Sequence, residues 1–166
     1  MKKIIYLFLT IFLVVCCDSK PKNPIYLDAN GITIKAHKWA KVGDEGIVND
    51  VLYTIVDKQM LVSLIKEGNS YDRTCTTFIY NMDNLFARKT TSQNISHWDV
   101  SNVEMMDGMF SGSSFNQDIS NWDVSNLITM PFMFYNNRAF NQDLSSWSVD
   151  GVLDYGYFSE GATSWT

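Results

Sequence analysis

The sequence predicts an α/β solenoid of about four rungs with a small β-hairpin and helix cap at its N-terminal end, and three observations carry that expectation. A decapeptide returns: Asn94-Ile-Ser-His-Trp-Asp-Val-Ser-Asn-Val103 recurs as Asp118-Ile-Ser-Asn-Trp-Asp-Val-Ser-Asn-Leu127 and, weakened, as Asp143-Leu-Ser-Ser-Trp-Ser-Val149. The period is fixed, because Trp98 to Trp122 is 24 positions and Trp122 to Trp147 is 25, and a period between about 20 and 50 residues marks stacked repeats. The aligned copies also have apolar columns: Ile95, Ile119 and Leu144; Trp98, Trp122 and Trp147; Val100, Val124 and Val149; Val103, Leu127 and Val152. These columns are expected to point inward.

Within one copy the spacing Ile119, Trp122, Val124, Leu127 follows the leucine-rich pattern L-x-x-L-x-L. Trp122 and Val124 alternate with Asp123, as in a short strand that buries two side chains and faces one outward. One strand per rung would build a parallel sheet. The other half of the rung reads as a short helix. Met106, Met109 and Phe110 recur as Met130, Met133 and Phe134, an i, i+3, i+4 set on one helical face. The column after the first Met holds Asp83, Asp107 and Pro131. Acidic residues and proline both suit a first helical turn, which places helix starts near 105 and 129. A degenerate copy with Ile79, Met82 and Phe86 precedes, and Tyr157-Phe158 follows on the Met133-Phe134 column, with Trp165 lying 25 past Phe140. The first and last copies are atypical, as capping repeats are.

Upstream of the repeats the chain divides into three pieces. Residues 1–17 read as a lipoprotein signal peptide: Lys2 and Lys3 precede an apolar run over 4–15, too short to span a bilayer. Val14-Val15-Cys16-Cys17 then resembles a bacterial lipobox, with Cys17 the expected acylation site and Cys16 the alternative. Residues 18–24, polar and holding two prolines, are a tether. Residues 25–70 form the strand and helix cap. Ile25-Tyr-Leu and Ile32-Thr-Ile-Lys35 flank the turn signal Asn30-Gly31, and Gly46-Ile-Val48 and Val51-Leu-Tyr-Thr-Ile-Val56 flank Asn49-Asp50. Asp57 is placed to cap a helix whose Met60, Leu61, Leu64 and Ile65 share a face, and Gly68 to end it. That face is expected against the N-terminal end of the repeats, which occupy 71–166.

The formal net charge is −5, and all 18 acidic residues lie beyond the leader while two of the 13 basic ones lie within it. Such a balance disfavours a nucleic-acid partner. Cys75 is the one cysteine outside the lipobox, so no disulfide framework is expected. His37 and His97 form no His-x-x-x-His pair and no Cys-x-x-Cys accompanies them, so neither a metal nor another cofactor is expected. His97 shares a column with Asn121 and Ser146, which reads as solvent-facing. Asp99 with Asp123, and Asp118 with Asp143, recur one rung apart, a spacing that could serve acid–base chemistry. Asn116-Gln117 and Asn141-Gln142 read as side-chain amides that satisfy turn backbone. No nucleophile elbow, phosphate loop or dinucleotide fingerprint is present.

Phe115-Asn-Gln-Asp-Ile-Ser-Asn-Trp-Asp-Val-Ser-Asn126, with Met130 and Met133-Phe134, resembles the unit of BspA-type leucine-rich-repeat surface proteins, a group that includes the repeat domain of Mycoplasma lipoproteins. Tyr53-Thr-Ile-Val-Asp57, Met60-Leu61 and Cys75-Thr-Thr77 are similar to the lead-in before the first repeat of those proteins, and Ala162-Thr-Ser-Trp165 extends the likeness downstream. The resemblance implies a bacterial envelope protein anchored through an N-terminal lipid and exposed at the surface. The expected function is a non-enzymatic binding or adhesion module for a protein or glycan partner. Its expected face is His97, Asp99, Ser101, Asn121, Asp123 and Ser125. The alternative is a small hydrolase acting on glycans or peptides through Asp99 and Asp123.

Overall fold

The computed structural model describes residues 22–165. The expected signal peptide, the acylation site at Cys17 or Cys16 and the start of the tether lie outside the described residues. Two antiparallel hairpins open the described chain: β1 (Ile25–Leu27) with β2 (Ile34–Ala36), and β3 (Glu45–Val48) with β4 (Val51–Ile55). Asn49 and Asp50 both take positive φ, 50° and 63°, the two-residue turn that Asn and Asp tolerate and that matches strand twist. The first hairpin is looser than Asn30-Gly31 suggests. Asn30 Oδ1 accepts the Ile32 and Thr33 amides at 2.9 Å each, and the Asp28 amide closes on Thr33 O at 2.8 Å. The loop therefore spans 28–33, and Ile32 is left exposed rather than paired.

The helix α1 (Lys58–Glu67) has the ends its sequence specifies. Asp57 accepts the Met60 amide at 2.8 Å, and Gly68 closes it in the left-handed conformation with φ 73°. Leu61 is buried, and Leu64 and Ile65 pack beside it on the repeat core, while Met60 stays exposed. The chain then returns as β5 (Thr74–Cys75), parallel to β4, giving a three-stranded sheet β3-β4-β5 beside the two-stranded sheet β1-β2.

The repeat does not build the rungs expected of it. Ile119 and Trp122, and Val124 and Leu127, are the ends of two tight turns, closed by Trp122 N–H to Ile119 O at 3.0 Å and Leu127 N–H to Val124 O at 3.0 Å. A turn on each side leaves no room for a strand at 122–124. The Met-Phe half is no helix either. It is three consecutive turns, closed in the first copy by Leu85 to Met82, Ala87 to Asn84 and Lys89 to Phe86. Every fourth residue there has positive φ: Asn84 and Arg88, Gly108 and Gly112, Phe132 and Asn136, Tyr157 and Gly161. A right-handed helix cannot contain them. The column of Asp83, Asp107 and Pro131 is thus the second position of a turn, where proline is equally at home, and the next residue has the sign of φ that a type II turn requires. With one helix and two small sheets among the described residues, the molecule is a compact mixed α/β fold and not an α/β solenoid.

Successive copies nevertheless touch through backbone. The amides of Met82, Asn84, Phe86 and Arg88 donate to the carbonyls of Met105, Asp107, Met109 and Ser111. The amides of Met106, Gly108, Phe110 and Gly112 donate onward to Thr129, Pro131, Met133 and Tyr135, and those of Met130, Phe132, Phe134 and Asn136 to Asp154, Gly156, Phe158 and Glu160, all at 2.7–3.0 Å. The amides of Tyr155, Tyr157, Ser159 and Gly161, next in this series, meet no acceptor among the described residues. The last register step is 25, so Tyr157 lies on Phe132 and Phe158 on Met133, one residue off the alignment read from the sequence.

The side chains of these copies form one core. Phe86, Phe110 and Phe134 stack at 5.7 and 5.4 Å between ring centroids, and Phe115 and Phe140 lie 3.9 and 4.0 Å from Phe110 and Phe134. Trp122 and Trp147 donate Nε1–H to Ile95 O and Ile119 O at 3.3 and 3.1 Å. Trp98 Nε1 has no partner, and the matching carbonyl one copy earlier, Tyr71 O, is taken by the Thr74 hydroxyl at 2.8 Å. The inward columns hold, save Val149, which is 41 % exposed. Trp122→Ala should lower the unfolding free energy by about 3–5 kcal/mol, read as a shifted urea midpoint; an unchanged midpoint would contradict its place in the core. Gly108→Ala should cost about 1–2 kcal/mol for the left-handed backbone alone, and its added Cβ would meet Asn84 Oδ1 at 2.7 Å.

Candidate binding face

The six residues expected to share a surface fall into two groups. Four of them, Asp99 with Ser101 and Asp123 with Ser125, share one local device, an Asp-x-Ser turn in which a carboxylate caps the backbone two residues on. Asp99 Oδ1 accepts the Ser101 amide at 3.1 Å and its hydroxyl at 2.6 Å, and Asp123 Oδ1 treats Ser125 identically at 3.1 and 2.6 Å. Asp118 and Asp143 cap Ser120 and Ser145 in the same way, at 2.9 and 2.8 Å. Those backbone bonds, then the serine hydroxyls, hold the Asp118 and Asp143 carboxyls below the ordinary aspartate value.

His97 and Asp99 are not on the surface. The strands of the N-terminal part lie over the first full repeat and cover both, leaving His97 9 % and Asp99 2 % exposed. The Ile34 amide donates to His97 O at 2.9 Å, the Tyr53 ring lies 5.6 Å from the imidazole, and His97 Nε2 is 3.2 Å from Thr74 O. A carbonyl only accepts, so Nε2 carries the proton. Asp99 Oδ2 accepts the Thr77 hydroxyl at 2.7 Å, and Thr76 donates to the Asp99 carbonyl at 2.9 Å. Thr77 Oγ1 in turn accepts the Ala36 amide at 2.9 Å, which ties β2 to the repeat through one hydroxyl. The buried Cys75 thiol donates to Ile34 O at 3.5 Å, and burial pushes its pKa up. The column His97, Asn121, Ser146 looked solvent-facing because only its first member is covered.

The other four keep some or all of their exposure. Ser101 and Asn121 are half-buried, and Asp123 and Ser125 are exposed. Side-chain amides fix their spacing: Asn121 Nδ2 donates to Ser96 O at 2.8 Å and Asn126 Nδ2 to Ser101 O at 2.7 Å. Gln117 makes a reciprocal clamp, accepting the Ile95 amide at 3.2 Å and donating to Gln93 O at 2.8 Å, and Gln93 repeats it on Tyr71 and Asn69. Asp99 and Asp123 each cap their own turn, and among the described residues no three His, Cys, Asp or Glu side chains converge on a metal position.

Two features went unread in the sequence. Phe132 and Tyr157 occupy the left-handed column that Asn84 and Gly108 fill elsewhere, with φ 58° and 56°. A bulky residue there is a genuine outlier, at a cost of about 1–2 kcal/mol each. Both rings are exposed and stack at 5.1 Å with 9° between planes, and Tyr135 meets Phe132 edge-on at 5.6 Å. Recognising the column required reading its Asn and Gly as turn residues. The second is a cleft of about 540 Å³ between α1 and β4–β5, walled mainly by apolar atoms of Val56, Met60 and Leu64, with Arg73 at its side.

The chain matches, over residues 59–166, the family described as Mycoplasma protein of unknown function, DUF285. No curated protein and no solved structure gives a significant match.

Asp99→Ala orphans the Thr77 hydroxyl and the Ser101 turn, so it should cost about 1–3 kcal/mol, more than Asp123→Ala; equal midpoints for the two variants would show Asp99 to be as exposed as its counterpart. Burial first, opposed by the bond to Thr74 O, lowers the His97 pKa below 6.5. The neutral ring is therefore favoured by the fold, and its contribution is present above pH 6.5 and lost as pH falls through the folded value. Acid titration of stability should show this loss, and His97→Gln should flatten it.

Proposed function

The chain belongs to the DUF285 family of Mycoplasma proteins of unknown function, and we propose that it is a non-enzymatic binding module of the bacterial cell surface, akin to the BspA-type proteins its repeat unit resembles. In this reading Cys17, or Cys16 in its place, carries the lipid that holds the protein to the envelope, and a protein or glycan meets the folded part. The observation that carries the proposal is the Phe132–Tyr157 stack. Two aromatic rings are kept in solvent at positions where their backbone is strained, and strain of this kind persists where function requires it. Flat exposed rings bind sugar faces and apolar side chains alike, with large contact area and few torsions to freeze. The polar residues Ser101, Asn121, Asp123 and Ser125 supply further hydrogen-bonding positions at fixed spacing. No observation favours the carboxylate-dependent hydrolase, because Asp99 is buried and both it and Asp123 are engaged by their own turns.

The test separates the ring from the fold. Phe132→Asn places in this column the residue that position 84 already carries, so the unfolding midpoint should stay within about 1 kcal/mol of the parent. In a pull-down against extracellular proteins and a glycan array, that variant and Tyr157→Asn should lose most of the parent's saturable binding. Retained binding in both would sink the aromatic site, and retained binding in Asp123→Ala and Ser125→Ala as well would remove the module reading from this surface.

A further inference from the structure

We infer that the last copy of the repeat is an open edge that takes an extended segment of a partner protein, laid parallel to residues 153–161; this names the partner class of the binding module proposed above and rests on that reading. Contacts between copies within the chain define what the edge requires. Thr129, opposite Met105, donates its amide to Glu104 O at 3.2 Å and accepts the Met106 amide at 3.0 Å. Beyond it the acceptors for Gly108, Phe110 and Gly112 recur at every second residue, on Pro131, Met133 and Tyr135. Asp154 repeats the place of Met105 one step further along the same series of parallel bridges. Leu153 O and the Tyr155 amide flank it, and neither has a partner among the described residues. The Tyr157, Ser159 and Gly161 amides continue the series outward. One residue of an incoming chain would close both bonds around Asp154, and its carbonyls at every second position beyond would meet the other three amides.

Apolar surface opens in the same direction. At the other end of the stack α1 closes the first copy: Lys58 bonds Asn81, while Ile65 and Gly68 face Phe86 and Lys89. The last copy has no such cover among the described residues. Leu153 is 82 % exposed, and Leu144, Trp147, Val149, Phe158 and Trp165 line an open cleft of about 450 Å³. The indole series stops here too: Ile95 O and Ile119 O each take an indole N–H from the following copy, whereas Leu144 O meets only the Trp147 amide of its own turn. Edge and cleft are both places where a following copy would stack, so they face one way. From residue 90 to 165 there are nine acids, and Arg138 is the one lysine or arginine. An anionic partner is therefore opposed, and a segment with basic side chains among its apolar ones is favoured. A second copy of this chain does not fit, because α1 lies at its carbonyl end and its other end presents amides. A glycan hydroxyl also accepts, but acceptors that recur at every second residue along one edge are a property of an extended peptide. Strand addition of this kind draws affinity from the backbone and selectivity from the side chains between.

The probe is a peptide of residues 128–138 with a lysine added at each end, since that stretch already presents the required carbonyls to the copy before it. Hydrogen exchange of the full-length chain in nanodiscs, read by mass spectrometry, should slow saturably over 153–161 as peptide is added and stay unchanged elsewhere. Tyr155→Pro removes one edge amide and Tyr155→Ala keeps it, so the first should bind the peptide about tenfold more weakly than the second. The same peptide N-methylated at Thr129 cannot donate to Leu153 O from that residue and should bind the parent more weakly as well, which decides the matter even where Tyr155→Pro lowers the unfolding midpoint. Edge amides left unprotected by the peptide, or equal binding of the methylated and unmethylated forms, would overturn the edge. So would protection of the edge by an oligosaccharide and not by the peptide. The aromatic reading fails separately: if Phe132→Asn and Tyr157→Asn keep the extracellular partner while the peptide still protects 153–161, the edge stands without the stack. If those variants lose the partner and the peptide protects nothing, the stack stands without the edge.

Discussion

Each peptide group of the repeat must find a partner once its side chains are buried, and the Met-Phe segments meet this demand by turning alternate peptide planes edge-on to the next copy. The carbonyl of each such plane faces the preceding copy and the amide faces the following one. A helix would have used these groups internally and left nothing for a neighbour. An ordinary strand would have alternated donors and acceptors on each edge. Turning every second plane the same way requires a left-handed residue at every fourth position, and from that requirement follow the glycines and asparagines of the column, the inward Met and Phe, and the contact between copies.

The parts of the fold legible in the sequence are those set by near neighbours. The cap of α1 at Asp57, its stop at Gly68 and the tight turn at Asn49-Asp50 each depend on a few adjacent residues, and each formed where the sequence placed it. The inward columns were legible because apolar residues recur. What failed was the conversion of spacing into backbone. Met106, Met109 and Phe110 share a helical face, but three overlapping turns place the same residues inward. Gly108 and Gly112, with Asn84 and Asn136 in the same columns, held the deciding information.

The candidate surface differs from its repeat columns for another reason. Repeat columns imply equivalent positions, yet the first full copy is the one over which β2 and β5 lie, so His97 and Asp99 form the joint between the two parts of the molecule. Their chemistry suits a joint. A neutral imidazole donating to a carbonyl and a carboxylate taking hydroxyls from two sides are satisfied polar groups, and a buried group in that state fixes register as well as adding stability. The equivalent Asp123 has the same local turn but no strand above it, and it remains in water. Sequence identity between repeats does not reach as far as their neighbours.

The one-way orientation of the turned peptide planes has an electrical result. Each of the columns, such as Met82 to Met105, Met106 to Thr129 and Met130 to Asp154, is a chain of hydrogen-bonded dipoles laid head to tail. In a helix that arrangement leaves a negative carbonyl end and a positive amide end, and charged side chains settle accordingly. The same sorting is visible here across separate copies. At the carbonyl end Lys89 donates to Leu85 O at 2.9 Å and Lys58 bonds Asn81. At the amide end, where Tyr155, Tyr157, Ser159 and Gly161 face outward, the charged residues are Asp150, Asp154 and Glu160, and no lysine or arginine follows Arg138. Among the described residues the amide edge of Tyr155, Tyr157, Ser159 and Gly161 is therefore complementary to carbonyl oxygens, and two such edges set amide to amide would oppose donor with donor.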